Sequence, residues 1–264
     1  MSILLHFHSS EDYEQIASKD NDLMIISDKK ETFTAAFTSL AAVAGITNSA
    51  DVAFLTSVAE IRLSASADST SSVELFIQGL VATDPPRRIV FALIPSKFGR
   101  HNTPSRSHSV AALVKSHKGS KKDFTIILAP SQGAYHIPQA LAAARQFPLF
   151  SLQSSTNKEK KNAVHIVLYG HKENSTKETL TALANVSEGI QLAQQLVDSP
   201  PNVLNCHEYL SECTAIAAQL QCTLKVSPSF EISQLLVSFS NLKWSDFSRL
   251  HKFEYMATAD ILNF

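Results

Sequence analysis

The sequence predicts an α/β sandwich, and three observations carry that expectation. Near-continuous apolar runs lie at 87–94 (RRIVFALI), 124–129 (FTIILA) and 163–169 (AVHIVLY). Helix-forming stretches separate them, at 104–117 (PSRSHSVAALVKSH) and 137–147 (IPQALAAARQF). Strand–helix–strand–helix–strand alternation is the rhythm of a sheet covered by helices. Strands that stay apolar at consecutive positions are buried on both faces. The three runs are therefore expected as central strands of one sheet, with the two helices packed on its faces. Composition allows such a core: of 264 residues, 44% are apolar, 18% charged and 15 are Phe, enough for one large domain or two small ones.

The elements follow in chain order. Residues 3–8 (ILLHFH) alternate and end in the polar cluster Ser9–Asp12, an opening strand, and 22–27 (DLMIIS) is a second short apolar run. From Glu31 to Ala44 the period turns helical, with Phe33, Ala36, Phe37, Leu40 and Val43 on one face. Residues 52–63 read as one or two strands and Ser64–Ser72 as a loop. Asp84-Pro85-Pro86 punctuates before the first long run, and Pro104 stands close to the first turn of the helix that follows it. The basic stretches 115–122 (KSHKGSKK) and 158–161 (KEKK) read as solvated loops. A polar stretch without period, Gly170–Glu178, marks a boundary. Beyond it, Thr179–Val197 is helical, with Leu183, Val186, Ile190, Ala193 and Val197 on one stripe, until Asp198-Ser199-Pro200-Pro201-Asn202 stops it. Asn205 is a good N-cap, and Glu208 three residues on completes a pair resembling a capping box. The second helix is expected to bury Tyr209, Leu210, Cys213, Ile216, Ala217 and Leu220. The chain thus divides into an α/β domain at 1–172, a two-helix segment at 179–228 and a tail at 229–264 with no clear period. No internal repeat is found.

Several function classes are excluded by simple counts. A net charge of −1, from 23 basic and 24 acidic residues, leaves no electrostatic footprint for nucleic acid or an anionic membrane. Only 7 glycines occur, all isolated, against a usual share of about 7%. A glycine-rich phosphate loop needs them clustered. Cys206, Cys213 and Cys222 are odd in number and too widely spaced for a zinc site, so they read as free thiols in a reducing compartment. The N-terminus shows no basic leader and no long apolar span, which makes the cytoplasm the expected location.

Ten histidines invite a search for a metal or a base. His6 and His8, two apart on a strand, share a face and could chelate, with Glu11, Asp12 and Glu14 nearby. As polar residues on a strand edge they need no ligand. His207-Glu208 opens the H-E-x-x-H zinc motif, but Ser211 stands where the second His belongs. Cys206 and His207 are neighbours at a helix start, so their side chains diverge by about 100° and make a poor dyad. No G-x-S-x-G occurs. Read from its residues alone, the chain offers no catalytic, cofactor-binding or metal residue.

Two segments nevertheless carry a family resemblance. Glu188–Leu210 (EGIQLAQQLVDSPPNVLNCHEYL) resembles the opening of the catalytic domain of leucyl (cytosol) aminopeptidases. There a helix ends in an R/Q-x-L-V-[ND]-x-P-x-N turn, matched here by Leu196, Val197, Asp198, Pro200 and Asn202, with Gln194 or Gln195 where Arg is usual. Arg100–Ser105 (RHNTPS) and Ala144–Phe150 (ARQFPLF) resemble the N-terminal domain of the "probable aminopeptidase-like" subgroup. The resemblance spans about 85–228 and implies a macro-domain-like mixed sheet flanked by helices, followed by a truncated start of the catalytic domain. It implies a metal-dependent exopeptidase using two divalent ions (zinc, manganese or magnesium) and assembling as an oligomer. The family's metal-binding signatures, D-[ST]-G-G-x-x-x-K and N-T-D-A-E-G-R, are absent from this sequence. The chain is therefore expected to be inactive alone, to hold no cofactor and to join a homo-oligomer or mixed oligomer with full-length subunits. The alternative is a macro-like binding module unrelated to peptide hydrolysis.

Overall fold

A computed structural model describes residues 4–12, 21–41, 46, 49–63, 69–77, 87–95, 97–100, 103–118, 123–148, 163–228 and 235–240. Six strands share one sheet: β1 (Leu4–Ser9), β2 (Asp22–Ser27), β3 (Ser71–Ile77), β4 (Arg87–Leu93), β5 (Phe124–Ala129) and β6 (Ala163–Leu168). Their spatial order is β1-β6-β5-β2-β4-β3, and every neighbouring pair is parallel except β3 on β4. The expected mixed α/β sheet is present, and all three long apolar runs are interior strands. The modest run at 22–27 lies between two of them.

Alternation explains why these strands read as continuously apolar. Met24 and Ile26 point to one face with Val90, Ile126, Leu128 and Ile166, against α3 (Ser107–His117) and α4 (His136–Ala144). Leu23 and Ile25 point to the other with Ile89, Phe91, Ile127 and Val167, against α1 (Lys30–Ala41) and α2 (Ser49–Arg62). Each strand serves two cores, so apolar residues dominate both of its faces.

Some expectations are corrected. Residues expected as strands over 52–63 belong to α2 up to Arg62, because Val52, Leu55 and Ala59, followed by Leu63, recur at helical spacing and pack on the sheet. The exposed Phe54 and Ile61 add an apolar density that imitates a strand. β3 begins inside the expected loop. As the antiparallel edge it alternates, Val73 and Leu75 packing inward while Glu74 and Phe76 face out. The helix expected from 104 starts at Ser107, since Arg106 is left-handed (φ 49°) and leaves Pro104 outside. The helix expected over 137–147 runs from His136 to Ala144.

The chain falls into two compact units, residues 1–147 with 155–184, and residues 148–154 with 185–264. The division lies inside α5 (Lys177–Asp198). In the first unit, Leu183 of α5 is buried in the core below α3 and α4. In the second, Val197, expected on the buried stripe, is 82% exposed. Asn205 caps α6 (Cys206–Leu220), its Oδ1 accepting from the backbone N–H of His207 (2.9 Å) and Glu208 (3.1 Å). Cys213, Ile216 and Ala217 are buried, while Tyr209, Leu210 and Leu220 are half-buried. An antiparallel hairpin follows, of β7 (Thr223–Pro228) and β8 (Leu235–Ser240), so the tail holds a strand where none was expected. The rest of 229–264 lies outside the described residues.

Candidate functional site

The topology creates a natural place for a ligand beside β2. The chain leaves β2 towards α1 on one face and leaves the adjacent parallel strand β5 towards α4 on the other. In open α/β sheets such divergence leaves a crevice at the carboxyl ends of the strands. Here the crevice is closed by the protein's own polar groups. Asp28, just past β2, accepts from the Ser131 backbone N–H (2.8 Å) and from the Ser131 hydroxyl. Ser27 Oγ lies 2.8 Å from the carbonyl of Ala129 and 2.9 Å from that of Lys29. Both ends of the clasp come from strand termini, so the sheet itself sets their spacing.

The neighbouring loops seal the β5–β6 side. A Cβ on Gly133 would lie 2.0 Å from Asn174 Nδ2 and 3.0 Å from His171 Cβ, so the turn after β6 packs directly onto the glycine. His136, the first residue of α4, is fully buried with Nε2 3.1 Å from the Tyr169 carbonyl. A carbonyl only accepts, so Nε2 carries the proton. Burial, more than the Tyr169 bond, sets the pKa of this ring and lowers it from the ordinary histidine value. A neutral imidazole donating to the Tyr169 carbonyl ties the start of α4 to the end of β6.

The second cluster sits at the far edge of the sheet. Parallel pairing of β1 with β6 places His165 opposite His6. His8 Nε2 and His165 Nδ1 are 3.0 Å apart, and the three ring centroids lie 5.2, 5.3 and 6.2 Å from one another. Burial is the main force lowering both His8 and His165, and His8 is brought down to about 4. His6 and His8 were legible as a pair; His165 was not, because its partners lie more than 150 residues away in sequence. Its one signal was a His inside an otherwise apolar strand.

The carboxylates expected beside the pair do not join it. Asp12 Oδ2 accepts from the Ser9 hydroxyl at 2.7 Å, and Glu11 pairs with Lys172. Glu14 lies outside the described residues. Among the described residues, no group of three or more His, Cys, Asp or Glu could hold a metal ion. In the histidine cluster one nitrogen faces another as in a hydrogen bond, rather than both facing a shared point. The described residues thus do not fit a two-metal centre. Cys206, His207 and Glu208 are exposed at the start of α6, where the backbone of the latter two serves the cap. The three thiols are free, and burial raises the Cys213 and Cys222 thiols above their usual value, which makes both poor nucleophiles.

The described residues thus form a doubly covered mixed sheet whose carboxyl-edge crevice is closed by the protein's own groups. Residues 46–156, from α2 through α4, match the family model of M17 aminopeptidase N-terminal domain 2. Over that span this chain is similar to the N-terminal domains of M17 aminopeptidases. The probable aminopeptidase NPEPL1 of Homo sapiens is 32% identical over 133 residues, 49% of this chain and 25% of that protein. Its Mus musculus counterpart is 32% identical over 136 residues, 50% of this chain and 26% of that protein. The match thus spans about a quarter of the length of these relatives. Among solved structures, leucine aminopeptidase of Caenorhabditis elegans superposes with a TM-score of 0.60 at 19% identity, covering 86% of this chain and 42% of that one. Leucyl aminopeptidase of Leishmania major, in complex with actinonin, gives 0.65 at 20% identity, covering 85% and 41%. These structures share the fold. No helix among the described residues is long and apolar enough to cross a membrane.

Proposed function

We propose that this chain is the N-terminal, non-catalytic portion of a metal-dependent leucyl-aminopeptidase-like exopeptidase, inactive alone and serving assembly or regulation in the cytoplasm. The observation that carries this reading is the match of 46–156 to an aminopeptidase N-terminal domain, in a sequence that lacks both metal-binding signatures. In such enzymes two divalent ions activate water and polarise the scissile carbonyl, and no residue of this chain is assigned a step in that chemistry. Assembly as a homo-oligomer, or with full-length subunits, is supported by the oligomeric habit of the resembled family. It is also supported by apolar side chains left in solvent near the Pro200-Pro201 turn, Val197 at 82% and Val203 at 47% exposure. The test is direct. The purified chain, supplied with zinc or manganese, is expected to hydrolyse leucine amide no faster than a mock preparation. Metal-dependent turnover that survives repurification overturns the reading.

A further inference from the structure

β1 is an edge strand. Among the described strands its one neighbour is β6, and of its core-facing side chains Leu5 and Phe7 are only partly buried. The opposite face carries His6 and His8, which meet His165 of β6 in a layer of three imidazoles.

The chemistry of that layer depends on protons. In the 3.0 Å contact between His8 Nε2 and His165 Nδ1, one neutral ring donates and the other accepts. A first added proton is tolerated, because an imidazolium still donates to a neutral partner. A second makes both nitrogens donors and sets two cations in contact beside His6. Two carboxylates favour the charged forms, Asp12 for His8 and Asp123 for His165. Asp12 already accepts from Ser9 Oγ, and Asp123 from the Ala163 N–H at 2.8 Å. Burial and the neighbouring imidazoles outweigh them, so both rings stay neutral at pH values where a free histidine is protonated.

We propose that the His6–His8–His165 stack is a proton-operated latch: with neutral rings β1 stays on β6, and protonation frees β1 from the edge of the sheet. The direction follows from linkage. His8 and His165 take up protons more readily on a released β1 than on a docked one, so the latch is complete above the ordinary histidine value of 6.5 and weakens as pH falls below it. Release would expose the backbone edge of β6 as a free parallel strand edge.

Hydrogen exchange on the whole 264-residue chain tests this, with rates corrected for intrinsic exchange from about pH 7.5 to about pH 5. Protection of residues 4–9 is expected to fall relative to residues 124–129 by up to roughly tenfold per pH unit for each proton gained. The double variant His8→Gln/His165→Gln should hold that ratio constant. If 4–9 and 124–129 lose protection in parallel in the wild-type chain, the latch is refuted. Should the variant fail to fold, the wild-type histidine resonances decide. Titration of His8 and His165 in step with loss of β1 protection supports the latch, and titration of both rings with β1 still protected overturns it.

Discussion

Replacing Phe91 by Ala tests how the sheet holds its helices. Phe91 is fully buried in the middle of β4 and meets Phe33 and Phe37 of α1 edge-on, at centroid distances of 4.9 and 5.0 Å and interplanar angles of 82° and 79°. Phe33 and Phe37 stand one helical turn apart with their rings nearly parallel (4°), so the Phe91 edge serves both. Removing a buried Phe costs about 3–5 kcal/mol in transfer and cavity terms. A whole domain is stable by roughly 5–15 kcal/mol, so the variant should lose a large share of its stability. Phe91→Leu restores most of the volume but forfeits two edge-to-face contacts worth roughly 0.5–1.5 kcal/mol each. It should therefore fall between wild type and alanine. Phe76, 65% exposed on β3, supplies the control: Phe76→Ala should stay within about 0.5 kcal/mol of wild type. The assay is urea unfolding followed by far-ultraviolet circular dichroism, with hydrogen exchange at β2 and β5 reporting the sheet itself. A Phe91→Ala loss below about 1 kcal/mol, or one no larger than that of Phe76→Ala, would refute the docking of α1 through this triad.

Two further substitutions probe the carboxyl edge of the sheet. Gly133→Ala drives a methyl into Asn174 and should cost about 1–3 kcal/mol by overpacking. Asn174→Ala in the same chain should recover part of it, and additive effects in that cycle would show that the two loops do not touch. His136→Gln keeps a donor for the Tyr169 carbonyl but cannot titrate. Because burial depresses the folded-state pKa, the unfolded chain binds the proton first as pH drops below 6.5. Wild-type stability should therefore fall towards pH 5 more steeply than that of the variant, and identical slopes in pH-dependent denaturation would contradict a buried neutral ring.

How far the sequence revealed this arrangement depended on burial. β4, β5 and β6 were legible because each is buried on two faces, which leaves an apolar run that neither a loop nor an exposed helix imitates. β3 was not, since a half-exposed edge strand such as Ser71–Ile77 shows only a short alternation, here mixed with serines. α2 failed for the opposite reason: Phe54 and Ile61 sit in solvent and blur the stripe of Leu55 and Ala59. Of the histidine cluster, the pair on β1 followed from period-two spacing alone. His165 could enter only through the strand register, which no local pattern encodes.

The same contrast bears on why the carboxyl-edge crevice reads as structure rather than site. A binding crevice keeps polar groups turned towards a ligand, whereas Asp28 spends both carboxylate oxygens on Ser131, and His136 spends its one proton on Tyr169. Gly133 makes room for Asn174, a residue of the protein itself, in the place where a glycine in a ligand loop would admit a phosphate. Apart from the buried His136 Nδ1, which has no hydrogen-bond partner, these groups are paired within the protein and tie β2, β5 and β6 to their following loops.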